Sequence, residues 1–264
     1  MKLSLTKPFA IRKTCLCAMQ AIVSLVGLYS LFILRPFLAM GDTQNRGRDE
    51  NSLFPPLILV HPAIQNCAVW YFYAKAFRKA GFRAIYYFEY ACREPSFNAV
   101  TERLAHLVEK VSKLHPEKGA ILVGASLGGL LIRNSLYFME NPERIGGLIT
   151  LATPHKGSSL ARMVPKWFLP LLHSIFYESP VIGELEAREE AAGIDIPKTA
   201  FYSEMDEKVK PVTALYPPAG QGWNEVKTVS LSHMAIMLHP PTIRAVIREI
   251  GKFQERGGRN TPAL

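Results

Sequence analysis

Aspartate is scarce in this chain of 264 residues: only Asp42, Asp49, Asp195 and Asp206 occur. Cysteine is equally sparse, and its four copies are badly placed for metal binding. Cys15 and Cys17 lie in an apolar run, while Cys67 and Cys92 stand too far apart in sequence for a zinc-type spacing. No internal repeat is present. No basic stripe with interleaved aromatics and no nucleic-acid motif occurs either, which argues against a nucleic-acid partner despite a formal charge of +9. That charge is concentrated at one end. Lys2, Lys7, Arg12, Lys13, Arg35, Arg46 and Arg48 against Asp42 give the first 48 residues about +6.

The same end has a long stretch without any charge. Thr14 to Leu34, "TCLCAMQAIVSLVGLYSLFIL", contains no ionisable acid or base of the Asp, Glu, Lys or Arg type. At ~1.5 Å per residue a helix over it reaches about 30 Å, the thickness of a hydrocarbon core. A cleaved signal peptide is the competing reading. Its apolar region is shorter and ends in small residues, whereas Arg35, Pro36 and Phe37 follow here. The expectation is a basic segment over 1–13, a transmembrane signal anchor over 14–34 and a polar linker over 35–54. The basic start puts the N-terminus in the cytoplasm. The rest of the chain is then exported, as on the periplasmic side of a bacterial inner membrane. In that setting Cys67 and Cys92 could pair; two unrelated buried thiols are the alternative.

From residue 55 to 255 apolar runs alternate with helix-like segments. The runs are "LILV" from Leu57, "AIYYFEY" from Ala84, "AILVGA" from Ala120, "GLITLA" from Gly147, "TAFYSEM" from Thr199 and "VKTVSLS" from Val226. Helices are expected over Val69 to Lys79, Asn98 to Leu114 and Leu130 to Glu140, with a last one from near Pro241. In the second, Val100, Leu104, Leu107, Val108 and Val111 recur at helical spacing. This alternation predicts an α/β fold with a mostly parallel sheet of about six strands and flanking helices. One interval, 158–197, exceeds what a strand-to-helix unit needs. It reads as a lid-like helical insertion, with Trp167, Phe168, Leu171, Leu172 and Phe176 as an acyl-pocket lining. A crossover helix that merely packs on the sheet is the plainer reading. Residues 256–264 form a tail.

Within "GAILVGASLGGLLIR", Gly124-Ala125-Ser126-Leu127-Gly128 fits G-x-S-x-G between a strand and a helix. Such a turn holds the serine in a strained conformation at a helix N-terminus, where backbone N–H groups meet a developing oxyanion. A serine needs a base, and the base an orienting acid, in the chain order Ser, Asp or Glu, His. Two aspartates follow Ser126. Asp206 lies just past an expected strand end and is favoured over Asp195; Glu204 is the substitute. His233 follows the next strand and is favoured as base over His239 and His155. His106, His115 and His173 read as structural.

The segments "LILVHPAIQNCAVW", "GASLGG", "LATPHKGS", "DEKVKP" and "LSH", in this order, resemble the α/β-hydrolase lipases and esterases, especially bacterial lipases and the GPI inositol-deacylase-like group. The resemblance spans about residues 56–250 and implies a compact six-strand form of that fold. It implies Ser126, Asp206 and His233 as nucleophile, acid and base, and backbone N–H groups of Leu127 and Ala63 as oxyanion donors. No metal or organic cofactor is implied. The expected activity is hydrolysis of carboxylic esters, of lipids above all. Acyl transfer or thioester cleavage is the neighbouring alternative, and a non-catalytic lipid-binding protein the more distant one. One departure stands out: the family usually has His-Gly where this chain has His61-Pro62. Proline fixes φ near −65° and offers no N–H.

Overall fold

A computed structural model describes residues 19, 20, 22, 26 and 54–256. The expected span over 14–34 lies outside the described residues except for Met19, Gln20, Ile22 and Val26, which are helical. Among the described residues no helix is long and apolar enough to cross a membrane.

Among the described residues six strands form one sheet: β1 Leu57–Val60, β2 Ile85–Phe88, β3 Ile121–Ala125, β4 Gly147–Leu151, β5 Lys198–Tyr202 and β6 Trp223–Lys227. Their spatial order is β2-β1-β3-β4-β5-β6 and every pairing is parallel. Parallel sheets need cover on both faces, and β1 to β4 are accordingly buried along their whole length. β6 departs from this pattern. Its Asn224, Glu225 and Lys227 are exposed, as an edge strand allows. It also begins upstream of the expected run at Val226, because the apolar "VSL" belongs to the loop that follows the strand.

The helices are α1 Tyr71–Lys79, α2 Phe97–Leu114, α3 Leu127–Ser135, α4 Pro170–Ser174, α5 Pro180–Ala192 and α6 Pro240–Arg256. Asn66 caps the 3-10 turn leading into α1 by accepting from the Ala68 N–H. Ser96 caps α2 by accepting from the Ala99 N–H at 3.2 Å. These caps satisfy N–H groups that would otherwise lack partners, each worth about 1 kcal/mol. α3 starts three residues earlier than expected and gives way to a 3-10 turn at Leu136–Phe138.

Two cores sandwich the sheet. One face packs Leu57, Leu59, Ile121 and Val123 against α1, the 3-10 turn before it and α6 through Trp70, Tyr73, Phe77, Val246 and Ile250. The other packs Ile58, Val60 and Leu122 against α2 and α3 through Val100, Leu104, Val108, Leu130 and Leu131. The alternation along β1 is the two-residue period of a strand. Each such side chain contributes roughly 1.5–3 kcal/mol on burial. The result is a rigid sheet whose carboxyl edge carries the loops described next.

Candidate active site

β3 runs directly into α3 through a single residue, Ser126, with φ 51° and ψ −120°. A non-glycine residue there carries strain of about 1–3 kcal/mol. The surrounding structure imposes it. The Ser126 N–H donates to the Leu151 carbonyl at 2.8 Å, tying the turn to β4. Gly128 lies so close to β1 that a Cβ would collide with the carbonyls of Val60 and His61. At Gly124 a Cβ would meet the Gly128 carbonyl. The two glycines let strand, turn and helix close on one another, which leaves Ser126 half-buried at the sheet edge. Leu127 opens α3, so its N–H is among the first-turn donors that no helical carbonyl satisfies.

Asp206 follows β5 and is buried. Its Oδ1 accepts from the N–H groups of Lys208 at 2.8 Å and Val209 at 3.0 Å. Its Oδ2 lies 2.6 Å from His233 Nδ1. Nδ1–H therefore donates to the carboxylate, and Nε2 is the nitrogen left to accept a proton. His233 lies on the loop after β6 and is also buried. Its own N–H donates to Glu207 Oε2 at 2.9 Å. Burial lowers the pKa of this imidazole. The charge and hydrogen bond of Asp206, and then the charge of Glu207, outweigh that and raise it above its ordinary value.

The other sequence candidates are engaged elsewhere. Glu204 is exposed and pairs with Lys227 at 2.5 Å, which lowers its pKa. Asp195 precedes β5 at the opposite end of the strand. His239 Nδ1 lies 2.8 Å from Thr242 Oγ1 at the start of α6. His155 is buried, 3.3 Å from Arg133 Nη1 and 3.2 Å from Thr150 Oγ1. A guanidinium can only donate, so His155 Nδ1 accepts and Nε2–H donates to the threonine. Burial and the adjacent Arg133 hold this imidazole well below the ordinary histidine pKa. His115 meets the Tyr86 hydroxyl at 3.0 Å, His173 meets the Val164 carbonyl at 2.7 Å, and His106 is exposed.

Opposite the elbow, His61 is buried with its ring stacked on Tyr90 at 4.3 Å. The Tyr90 hydroxyl donates to the His61 carbonyl at 2.9 Å. After Pro62, Ala63 is half-buried and Ile64 takes a left-handed φ of 59°. The Ile64 N–H donates to Cys92 Sγ at 3.2 Å, which ties this turn to the loop after β2. Cys67 and Cys92 are both buried and are not joined to each other by a disulfide. In the insertion, Trp167 and Phe168 are exposed, Leu172 is half-buried and Leu171 is fully buried in the core.

Three features of the site have no local sequence signal. Arg133, fully buried on α3, forms a two-point ion pair with Glu189 on α5. Glu207 holds the backbone of His233, and Tyr90 backs His61. Each partner lies 26 to 56 residues away in sequence. Only the adjacency of Glu207 to Asp206 could have drawn attention.

A hydrolase family model described as serine aminopeptidase, S33, matches residues 90–211, a range that includes Ser126 and Asp206 and stops short of His233. Among solved structures, lipase B of Aspergillus fumigatus superposes with a TM-score of 0.64 at 15% identity, over 78% of this chain and 53% of that one. This chain thus spans about half of that protein. A lipase of Bacillus licheniformis in mature form gives 0.58 at 15% identity, over 78% and 96%. A monoacylglycerol lipase of Paleococcus ferrophilus gives 0.55 at 16%, over 76% and 96%. A comparison with curated proteins gives no match. At these identities the structural likeness concerns the fold.

Proposed function

We propose that this chain, which has the α/β-hydrolase fold, is a serine hydrolase that cleaves carboxylic esters of lipids, a reading supported by the partial family-model match. The observation that carries the reading is the Asp206–His233 pair, held at 2.6 Å on the sheet edge where Ser126 sits in its left-handed turn. Ser126 Oγ attacks the acyl carbonyl while His233 Nε2 takes its proton. Asp206 keeps the imidazole in the required tautomer and stabilises the imidazolium. The N–H groups of Leu127 and Ala63 receive the oxyanion, with the dipole of α3 adding to the first. The protonated His233 then delivers its proton to the leaving alcohol. Water, activated by the same histidine, releases the acid from the acyl-enzyme.

Lipid esters are favoured because the 158–197 insertion presents apolar side chains beside this edge and because the solved relatives named above are lipases. The uncharged run Thr14–Leu34 supports a signal anchor, with a cytoplasmic N-terminus and an exported catalytic domain. A fluorophosphonate probe tests the chemistry. Wild-type protein is expected to label and Ser126→Ala to be silent; labelling that persists in the variant, or is absent in a folded wild type, overturns the reading. Acyl esters from acetyl to palmitoyl then test the substrate class, with a steep fall in turnover at long chains counting against lipids.

A further inference from the structure

The segment from Leu160 to Phe168 exposes apolar side chains to an unusual degree. Trp167 is 85% exposed and Met163 78%, with Phe168 and Leu160 also outside the core. Apolar residues scattered singly on a surface need no explanation, but a run of them within nine residues does. Fraying does not account for it. The Phe168 and Leu169 N–H groups both donate to the Pro165 carbonyl, and the His173 ring meets the Val164 carbonyl at 2.7 Å. Below, the Leu171 N–H donates to the Cys92 carbonyl at 3.2 Å and fixes the segment to the body. A held turn is displaying these side chains.

Two further observations narrow what covers them. The first is charge. From Ile145 to Tyr177 the chain has no aspartate or glutamate, while Lys156, Arg162 and Lys166 lie within it. Arg93 adds a fourth cation, its guanidinium 5.6 Å over the Phe168 ring. Arg162 and Lys166 alternate with the apolar residues and are exposed. An aromatic and aliphatic tip with interleaved cations complements an apolar layer beneath a negatively charged surface, which is the chemistry of an anionic bilayer. Tryptophan in particular favours the boundary between headgroups and acyl chains.

The second observation is position. Ser158 Oγ donates to the Lys208 carbonyl at 2.8 Å, and the Ser159 N–H donates to the Lys210 carbonyl at 2.7 Å. The base of the segment is thereby stapled to the loop that carries Asp206. On its other side Cys92 joins the segment to the loop of Ala63 and to half-exposed Ile64.

We infer that Ile64, Arg93, Leu160, Met163, Lys166 and Trp167 form a docking surface for an anionic lipid bilayer, which seats the carboxyl edge of the sheet against the membrane. This rests on the proposed ester hydrolysis only for its consequence, delivery of a bilayer-resident ester to Ser126. The docking itself is independent of catalysis and is tested separately.

The full chain is mixed with vesicles of phosphatidylglycerol or phosphatidylcholine, each with and without brominated acyl chains, and tryptophan emission is read. Trp70 is fully buried and Trp223 half-buried, so Trp167 is the exposed reporter among the described residues. Brominated phosphatidylglycerol is expected to quench the emission, brominated phosphatidylcholine to quench it less, and Trp167→Phe to abolish the difference. The pair Met163→Asp and Lys166→Glu is expected to lower apparent affinity for phosphatidylglycerol vesicles by about fivefold or more, since each cation at such a surface counts for about that. The same pair leaves hydrolysis of a short water-soluble ester unchanged and slows hydrolysis of a vesicle-embedded ester. Equal quenching by both lipids, or quenching that survives Trp167→Phe, overturns the inference. So does a lipid-free dimer that shields Trp167, because a second copy is then the occupant. A chain that turns over no ester yet shows the quenching pattern retains the docking surface and loses the enzymatic reading.

Discussion

Arg133 and Glu189 face each other in the interior as a two-point ion pair, at 2.9 Å through Nε and 2.5 Å through Nη2. Arg133 belongs to α3, the helix that opens at the nucleophile turn, and Glu189 to α5, in the insertion. The remaining Nη1 donates to the His155 carbonyl at 2.9 Å. The second half of the insertion is therefore clamped to the elbow helix and does not behave as a free flap. Removing one partner leaves a buried charge without compensation. Arg133→Met or Glu189→Leu alone is expected to cost about 3–5 kcal/mol in denaturant unfolding. The double variant is expected to recover much of that. Additive losses would show that the pair is not the relevant unit.

The pH dependence of activity follows from His233. It must be neutral to take the proton of Ser126, and its pKa is raised: burial lowers it, but Asp206 and Glu207 prevail. The acid limb of kcat/KM is expected above the ordinary histidine value of about 6.5. Asp206→Asn is expected to move that limb to lower pH while reducing kcat by about 10⁴-fold. A limb that stays in place would assign it to another group.

Stability carries two opposed histidine contributions. The raised pKa of His233 adds stability that is fully present below about 6.5 and lost as pH rises through the folded value. His155 is depressed by burial and by Arg133. Its contribution is present above about 6.5 and lost as pH falls towards its lower folded value. Urea midpoints measured across pH 5 to 8 are expected to gain acid resistance in His155→Gln relative to wild type, once the cost of the lost hydrogen bonds is set aside by comparing slopes. Parallel slopes would exclude His155 as the source.

Glu207 positions the histidine through the backbone, by accepting its N–H at 2.9 Å. Glu207→Gln keeps an acceptor and removes the charge, so the acid limb is expected to shift to lower pH with kcat little changed. Glu207→Ala removes both and is expected to lower kcat with KM nearly constant. A common loss in both variants without any shift in pH profile would reduce Glu207 to a packing residue.

Gly128→Ala tests the elbow itself. The added methyl has nowhere to go against the Val60 and His61 carbonyls. A loss of about 1–3 kcal/mol is expected from overpacking. Because the displaced segment includes Leu127, fluorophosphonate labelling should slow more than unfolding data alone would explain. Normal labelling in a destabilised variant would separate packing from the oxyanion position.

Much of the architecture was legible because buried parallel strands are nearly continuous apolar runs. "LILV" and "AILVGA" coincide with β1 and β3 to within a residue. β6 was misplaced for the converse reason: an edge strand carrying Asn224, Glu225 and Lys227 has no such run, and its apolar-looking neighbour is loop. Asp206 and His233 could be singled out because each follows a strand in the required order, and the structure brings their side chains together. Chain order says nothing, however, about which charged residues meet across 26 or 56 positions. Glu207 and the Arg133–Glu189 pair are products of tertiary packing. The insertion's helices were likewise undivided in sequence, since α5 is set by Ser179, Pro180 and the left-handed Gly193 at its ends rather than by a strong apolar stripe.

The polar outer strand has a consequence for how copies of this protein can meet. β6 ends the sheet, with no further strand beside it among the described residues, and the Lys227 side chain is already committed to Glu204. Another molecule adding a strand there would have to strip water from Asn224, Glu225 and Lys227 and find each a new partner. The sheet is thereby protected from growing into a continuous ribbon even when the protein is crowded at high local concentration.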